Sequence, residues 1–255
     1  MTIVYDQDLD YGILAASGQV GGVSSVNKFG GGFESAADTP SDVWDNGATN
    51  TIYDFPATAT ITHVRAAVDS ATTQGMDIEV QGLDANWNLV VQNATLDGTA
   101  STTEVALTTA LLRVFRVKVI DNLVADQDIW AGATGMAAAT ISALVQAGNN
   151  QTLMAIYTVP ANKTAYMTGV YASVVDATNK TPTSTDIVLW AADRANSYEF
   201  QIKFADAVAS GASGVQHKFY PYYKFTEKTD IKIQTTCANQ PGKIYGGFDL
   251  ILLDN

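Results

Sequence analysis

The sequence predicts an all-β protein: two tandem antiparallel β-sandwich modules, jelly-roll-like, behind an extended N-terminal arm. Three observations carry this. Apolar and polar residues alternate with a period of two in segment after segment, turn residues bound those segments, and one strand-rich passage recurs later in the chain. Ile52-Tyr53-Asp54-Phe55-Pro56-Ala57 reads almost like Ile156-Tyr157-Thr158-Val159-Pro160-Ala161. Downstream, Asp77-Ile78-Glu79-Val80 leads to Asp84-Ala85-Asn86-Trp87, as Asp186-Ile187-Val188-Leu189 leads to Asp193-Arg194-Ala195-Asn196. The interval between matched points lengthens only slightly, as a short loop insertion would make it.

Residues 1–32 read as an arm or linker, because Gly18, Gly21, Gly22 and the triplet Gly30-Gly31-Gly32 interrupt a passage without periodicity. Such a segment orders only against a neighbour, so Ile13, Leu14, Val20, Val23 and Val26 are candidate assembly contacts; a flexible tail is the other reading. Removing 1–32 is expected to leave folding intact and weaken assembly.

The first module is expected over 33–135. Phe115, Val117 and Val119 alternate with Arg116 and Lys118, and Ile78 and Val80 with Asp77, Glu79 and Gln81, which places the apolar residues of each set on one strand face. Ser101-Thr102-Thr103-Glu104 has the form of a capping box before Val105, Leu107, Leu111 and Leu112. A short helix competes there with a strand and bend. The second module is expected over 136–255. Tyr198, Phe200, Ile202 and Phe204 alternate with polar residues and suit a sandwich core, Ile231 and Ile233 alternate with Lys232 and Gln234, and a last strand occupies 247–253.

With 47% apolar and 16% charged residues in 255, the composition is that of a folded protein. The net charge of −12 repels a phosphate backbone, so no nucleic-acid partner is expected. The single cysteine, Cys237, excludes an internal disulfide and a multi-cysteine zinc site and reads as a small core residue. No run approaches the roughly 20 apolar residues of a membrane helix, and no basic-then-apolar leader opens the chain. A soluble protein with no membrane partner is expected; for a secreted protein, export would need another route, such as release by lysis.

No catalytic residue, cofactor or metal is assigned. His63 and His217 fall in strand-like surroundings, one per module, and the zinc-protease, nucleophile-elbow, P-loop and dinucleotide motifs are missing. Paired carboxylates can run glycosidase chemistry, but none of the 26 acidic residues shows a telling pair spacing. Asp38, Asp42, Asp45 and Asn46 surround Trp44 and offer oxygen ligands for calcium, yet their spacing is not that of an EF-hand and they make tight turns equally well. Aromatic residues concentrate in Phe219-Tyr220-Pro221-Tyr222-Tyr223-Lys224-Phe225. Exposed rings stack on sugars or anchor interfaces, which makes Trp87, Trp190, Tyr220, Tyr222 and Tyr223 candidate partner or glycan contacts. Alternatively most of these rings enter the core and Pro221 breaks an edge strand.

Val26-Asn27-Lys28-Phe29-Gly30, Asp42-Val43-Trp44-Asp45, Val80-Gln81-Gly82-Leu83-Asp84-Ala85-Asn86, Phe225-Thr226-Glu227-Lys228-Thr229-Asp230 and Gly247-Phe248-Asp249-Leu250-Ile251-Leu252 complete the reading. With them, most of the chain resembles a family of virion structural proteins of tailed bacteriophages, many of them marine. The resemblance implies a non-enzymatic virion protein, assembled in the host cytoplasm and released by lysis. It points to a capsid-associated decoration, stabilising or head-appendage protein. The partners it implies are further copies of the chain, as a homo-oligomer, and other virion proteins such as the major capsid protein. The alternative is a tail, collar or fibre component that binds a host receptor or surface polysaccharide.

Overall fold

The computed structural model describes residues 11–49, 51–177, 180–209 and 214–255, with side chains from residue 13 onward. The first ten residues of the expected arm lie outside the described residues. A short helix, α1 (Tyr11–Ala16), precedes β1 (Val23–Ser35) and β2 (Ser41–Asp42). Then follow β3 (Ile61–Ala66), β4 (Asp77–Leu83), β5 (Leu89–Thr95), β6 (Val105–Leu111), β7 (Arg113–Val119), β8 (Ile129–Gly132) and β9 (Ile141–Val145). The remainder comprises β10 (Ile156–Thr158), β11 (Lys163–Asp176), β12 (Ser184–Asp193), β13 (Gln201–Ala209), β14 (Val215–Phe225), β15 (Thr229–Cys237) and β16 (Gly242–Asp254).

Two sandwiches result. In the first, the sheet β6-β3-β8-β9 faces the sheet β5-β4-β7, and Ile61, Val64, Ile78, Val80, Val117 and Ile129 fill the space between. In the second, β14-β11-β16-β1 faces β13-β12-β15, with β10 and β2 both on the far edge of β15. Met167, Val170, Ile187, Leu189, Ile233 and Phe248 form its core. The orders correspond strand for strand, β6-β3-β8 with β14-β11-β16 and β5-β4-β7 with β13-β12-β15. The pairings between these strands are antiparallel, so each sandwich packs two apolar faces together while its outer faces meet water or the other sandwich.

The all-β sandwich class holds, but the division of the chain differs from 1–32, 33–135 and 136–255. The first sandwich continues through β9 to Val145, whereas β1 and β2, which precede it, complete the second. The second sandwich is therefore interrupted in sequence by the first. Its β1 was expected in the arm; instead it pairs with β16 from Val23↔Leu253 to Ser35↔Gly242, so Val23 and Val26 are half-buried sheet residues. Ile13 is exposed and Leu14 and Val20 are half-buried, beside the start of that strand. Of the glycines that suggested a linker, Gly30 and Gly31 allow close approach. A Cβ on Gly30 would stand 2.5 Å from both Ala155 N and Val43 O, and one on Gly31, at φ +131°, would stand 2.3 Å from Ile244 O.

Bulges correct two of the alternating faces. The β4–β7 register passes from Gln81↔Arg116 to Gly82↔Val114, so Phe115 turns away from Val117 and joins the core of the second sandwich against Tyr157, ring centroids 4.9 Å apart. The β12–β13 register passes from Leu189↔Phe204 to Trp190↔Ile202. Phe204 stays with the core, while Ile202 is 55% exposed and Tyr198 is exposed too. The competing helix after Ser101 gives way to strand β6. Glu104, instead of closing a capping box, accepts from the backbone N–H groups of Gly135 (2.8 Å) and Met136 (3.0 Å), which hold its carboxyl below the usual range.

Candidate functional site

Two places concentrate polar and aromatic groups, and they differ in kind. The first is the buried seam between the sandwiches. Asp230 on β15 is fully enclosed and accepts from Arg113 Nε (2.9 Å) and Nη2 (3.0 Å), from Arg194 Nε (2.9 Å) and from Thr158 Oγ1 (2.6 Å). Beside it Asp42 accepts from Lys232 Nζ (2.7 Å), Gln234 Nε2 (2.9 Å) and the Tyr53 N–H (2.8 Å). Burial pushes the Asp42 carboxyl up, against the pull of Lys232. Rings seal the charges: Arg113 lies 5.3 Å from the Phe55 ring and 5.0 Å from that of Trp87, and Lys232 lies 4.9 Å from that of Phe200. Each charge here has a partner, as buried ions require, and the arrangement locks one sandwich to the other.

Trp87 is thus half-buried over Arg113 rather than displayed on a surface. Trp190 is half-buried on β12 between Ile202 and Lys232, and its Nε1 is closed off from water with no hydrogen-bond partner among the described residues. Neither ring is fully exposed. The calcium candidates do not converge. Asp42 belongs to the seam, Asp38 accepts from the Asn239 N–H (3.0 Å), and Asn46 donates to Ala138 O (2.7 Å). Asp45 is buried near Lys28, whose Nζ donates to Phe115 O. Burial drives the Asp45 carboxyl well up and the Lys28 ammonium well down, Arg116 adding to the latter. Among the described residues no three His, Cys, Asp or Glu side chains are grouped to hold a metal ion. Cys237 is buried, as expected of a small core residue.

The second place is the side of the second sandwich where β13 and β14 are the edges of facing sheets. Among the described residues no hydrogen bond joins them. Rings meet there instead: Phe204 and His217 at 4.8 Å, His217 and Phe219 at 4.8 Å, and Tyr223 stacked on Phe225 at 5.0 Å. Outside them stand Tyr220, 97% exposed, Tyr222, 52%, and Tyr223, 36%. Of the five aromatic candidates, the three tyrosines are therefore exposed along β14, Tyr220 and Tyr222 beside Gln216 and Lys218, and Tyr223 beside Lys203 and Tyr198. Lys203, Lys218 and Lys224 interleave with the rings, and Lys203 Nζ lies 5.9 Å from the Tyr223 ring. From the sequence, Phe204 and Ile202 fall on a core face and His217 on a strand, none of them assigned to a surface; the exposure of Ile202 and the meeting of Phe204 with His217 depend on the β13 bulge and on edge position.

Among the described residues no helix is long and apolar enough to cross a membrane. The chain matches no protein-family model, no curated protein and no solved structure.

Proposed function

We propose that this is a non-enzymatic structural protein of a tailed-phage virion, capsid-associated and homo-oligomeric, that decorates or stabilises the head or forms an appendage on it. The phage assignment rests on the sequence resemblance. The observation that carries the mode of action is the open β13/β14 side of the second sandwich. Unpaired strand edges lined with exposed rings are surfaces that a second chain completes, by adding a strand or by covering the rings. Edge lysines discourage indiscriminate strand pairing, and on a chain of net charge −12 they favour an acidic partner surface, such as another copy or a capsid protein. The seam supports the same reading, because a buried and fully partnered ion pair, Arg113 with Asp230, joins the two sandwiches without any disulfide.

Cryo-electron microscopy of purified virions tests this. Many symmetric copies over the head, with β13 and β14 against a neighbour, are expected. Copies restricted to the tail would replace decoration with the receptor-binding alternative, and absence from the particle would end the virion reading.

A further inference from the structure

We infer that a concavity on the outer face of the β14-β11-β16-β1 sheet binds a neutral hexopyranose unit of a polysaccharide. The sheet register builds the concavity. Asn27, Asp249, Gly169 and Lys218 lie in one row across β1, β16, β11 and β14, and Phe29, Gly247, Tyr171 and Gln216 lie in the next. Gly169 leaves the first row without a side chain at its centre; even a Cβ there would stand 3.3 Å from His217 O. Asp249 and Lys218 flank that gap, their strands separated by two inter-strand spacings, roughly 10 Å.

Over the gap rises a wall. Between Met167↔Tyr223 and Gly169↔Lys218, β14 sets Phe219, Tyr220, Pro221 and Tyr222 opposite Thr168 alone, so the tyrosines are lifted out of the ladder. The concavity is open to solvent and has a volume of about 380 Å³, within the range of small-ligand sites.

Its chemistry fits a sugar better than a peptide strand or an apolar ligand. Tyrosine rings offer faces to the C–H side of a pyranose. Gln216, Lys218 and the Tyr220 hydroxyl have no hydrogen-bond partner among the described residues, and Asp249 has given only one oxygen, to Asn27 Nδ2 at 2.5 Å. Donors on one side and a carboxylate acceptor on the other suit a ring bearing hydroxyls all round. A partner strand would instead engage the β14 backbone edge and leave this face empty. Asp249 within the site and the net charge of −12 disfavour an acidic polysaccharide.

The inference does not rest on the virion assignment, and its test uses the purified full chain. Saturation-transfer NMR and titration with oligosaccharides of glucose, galactose, mannose and N-acetylglucosamine, with glucuronate oligosaccharides alongside, should show binding of at least one neutral probe. Tyr220→Ala and Asp249→Asn should each weaken it roughly tenfold or more while melting temperature stays unchanged, since a fully exposed ring contributes little to the fold. No binding by any neutral probe at millimolar concentration, binding by glucuronate alone, or binding indifferent to both substitutions would overturn the inference. So would a Tyr220→Ala chain that changes only its oligomeric state, which would assign the surface to a second copy.

Discussion

The two sandwiches share a strand order and differ at one side. In the first, the edges β5 and β6 are clasped: Gln92 Nε2 donates to Thr109 O at 2.9 Å, and its Oε1 accepts from the Thr109 N–H at 2.9 Å. One side chain thus satisfies a donor and an acceptor of the facing edge. In the second, β13 and β14 occupy the corresponding places, but the described residues supply rings and lysines there instead of a clasp. The difference teaches that the shared scaffold does not itself demand an open side. Where the side is closed, a polar residue bridges to the facing backbone; where it is open, the edge carries exposed rings that water serves poorly and a partner serves well, interleaved with lysines.

The comparison can be attacked from several directions. The largest effect is expected from removing residues 1–32, contrary to the expectation that a separable arm would leave folding intact. The deletion strips β16 of its neighbour along most of its length, so soluble expression and the β-sheet circular dichroism signal should be lost. A chain that folds without this segment would return β1 to the status of an arm. Next, Asp230→Ala leaves Arg113 enclosed without its carboxylate and should cost about 3–5 kcal/mol in chemical denaturation. If the cost is near zero, the seam does not hold the sandwiches together.

Asp45 gives a pH test of the same junction. Its folded-state value is raised, so the folded chain keeps a proton that the unfolded chain releases, and stability falls as pH climbs from the ordinary carboxylate range to the raised value. Lys28, lowered, acts with the opposite slope on approach to the ordinary lysine range. Asp45→Asn should remove the acid-side decline, and stability curves with and without the substitution that run parallel across that range would refute the assignment. Opening the clasp with Gln92→Ala should cost about 1–2 kcal/mol, two hydrogen bonds to buried or half-buried backbone. On the open side, Tyr220→Ala should change monomer stability by no more than about 0.5 kcal/mol.

Much of the fold was legible because half-buried strands write their faces into the sequence. Ile78 and Val80, or Ile231 and Ile233, alternate as they pack. What escaped was decided by distant backbone. Gly30 and Gly31 look like linker until Ala155, Val43 and Ile244 are seen pressed against them. Phe115 and Ile202 change face at bulges whose cause is the register of a neighbouring strand, and no local pattern marks them. Glu104 reads as a helix cap because its true partners, Gly135 and Met136, are remote in sequence. The surface site was half visible: the tyrosine cluster declares itself by composition, but whether a ring faces core or water depends on edge position. Trp87 and Trp190, equally conspicuous in sequence, are half-buried.

The most direct test is hydrogen–deuterium exchange of the chain in assembled particles against the free chain. Protection on assembly should concentrate in β13 and β14, with β5 and β6 unchanged between the two states. Protection spread over β5 and β6, or none at β13 and β14, would contradict the claim that the open side of the second sandwich is where this protein joins its neighbours.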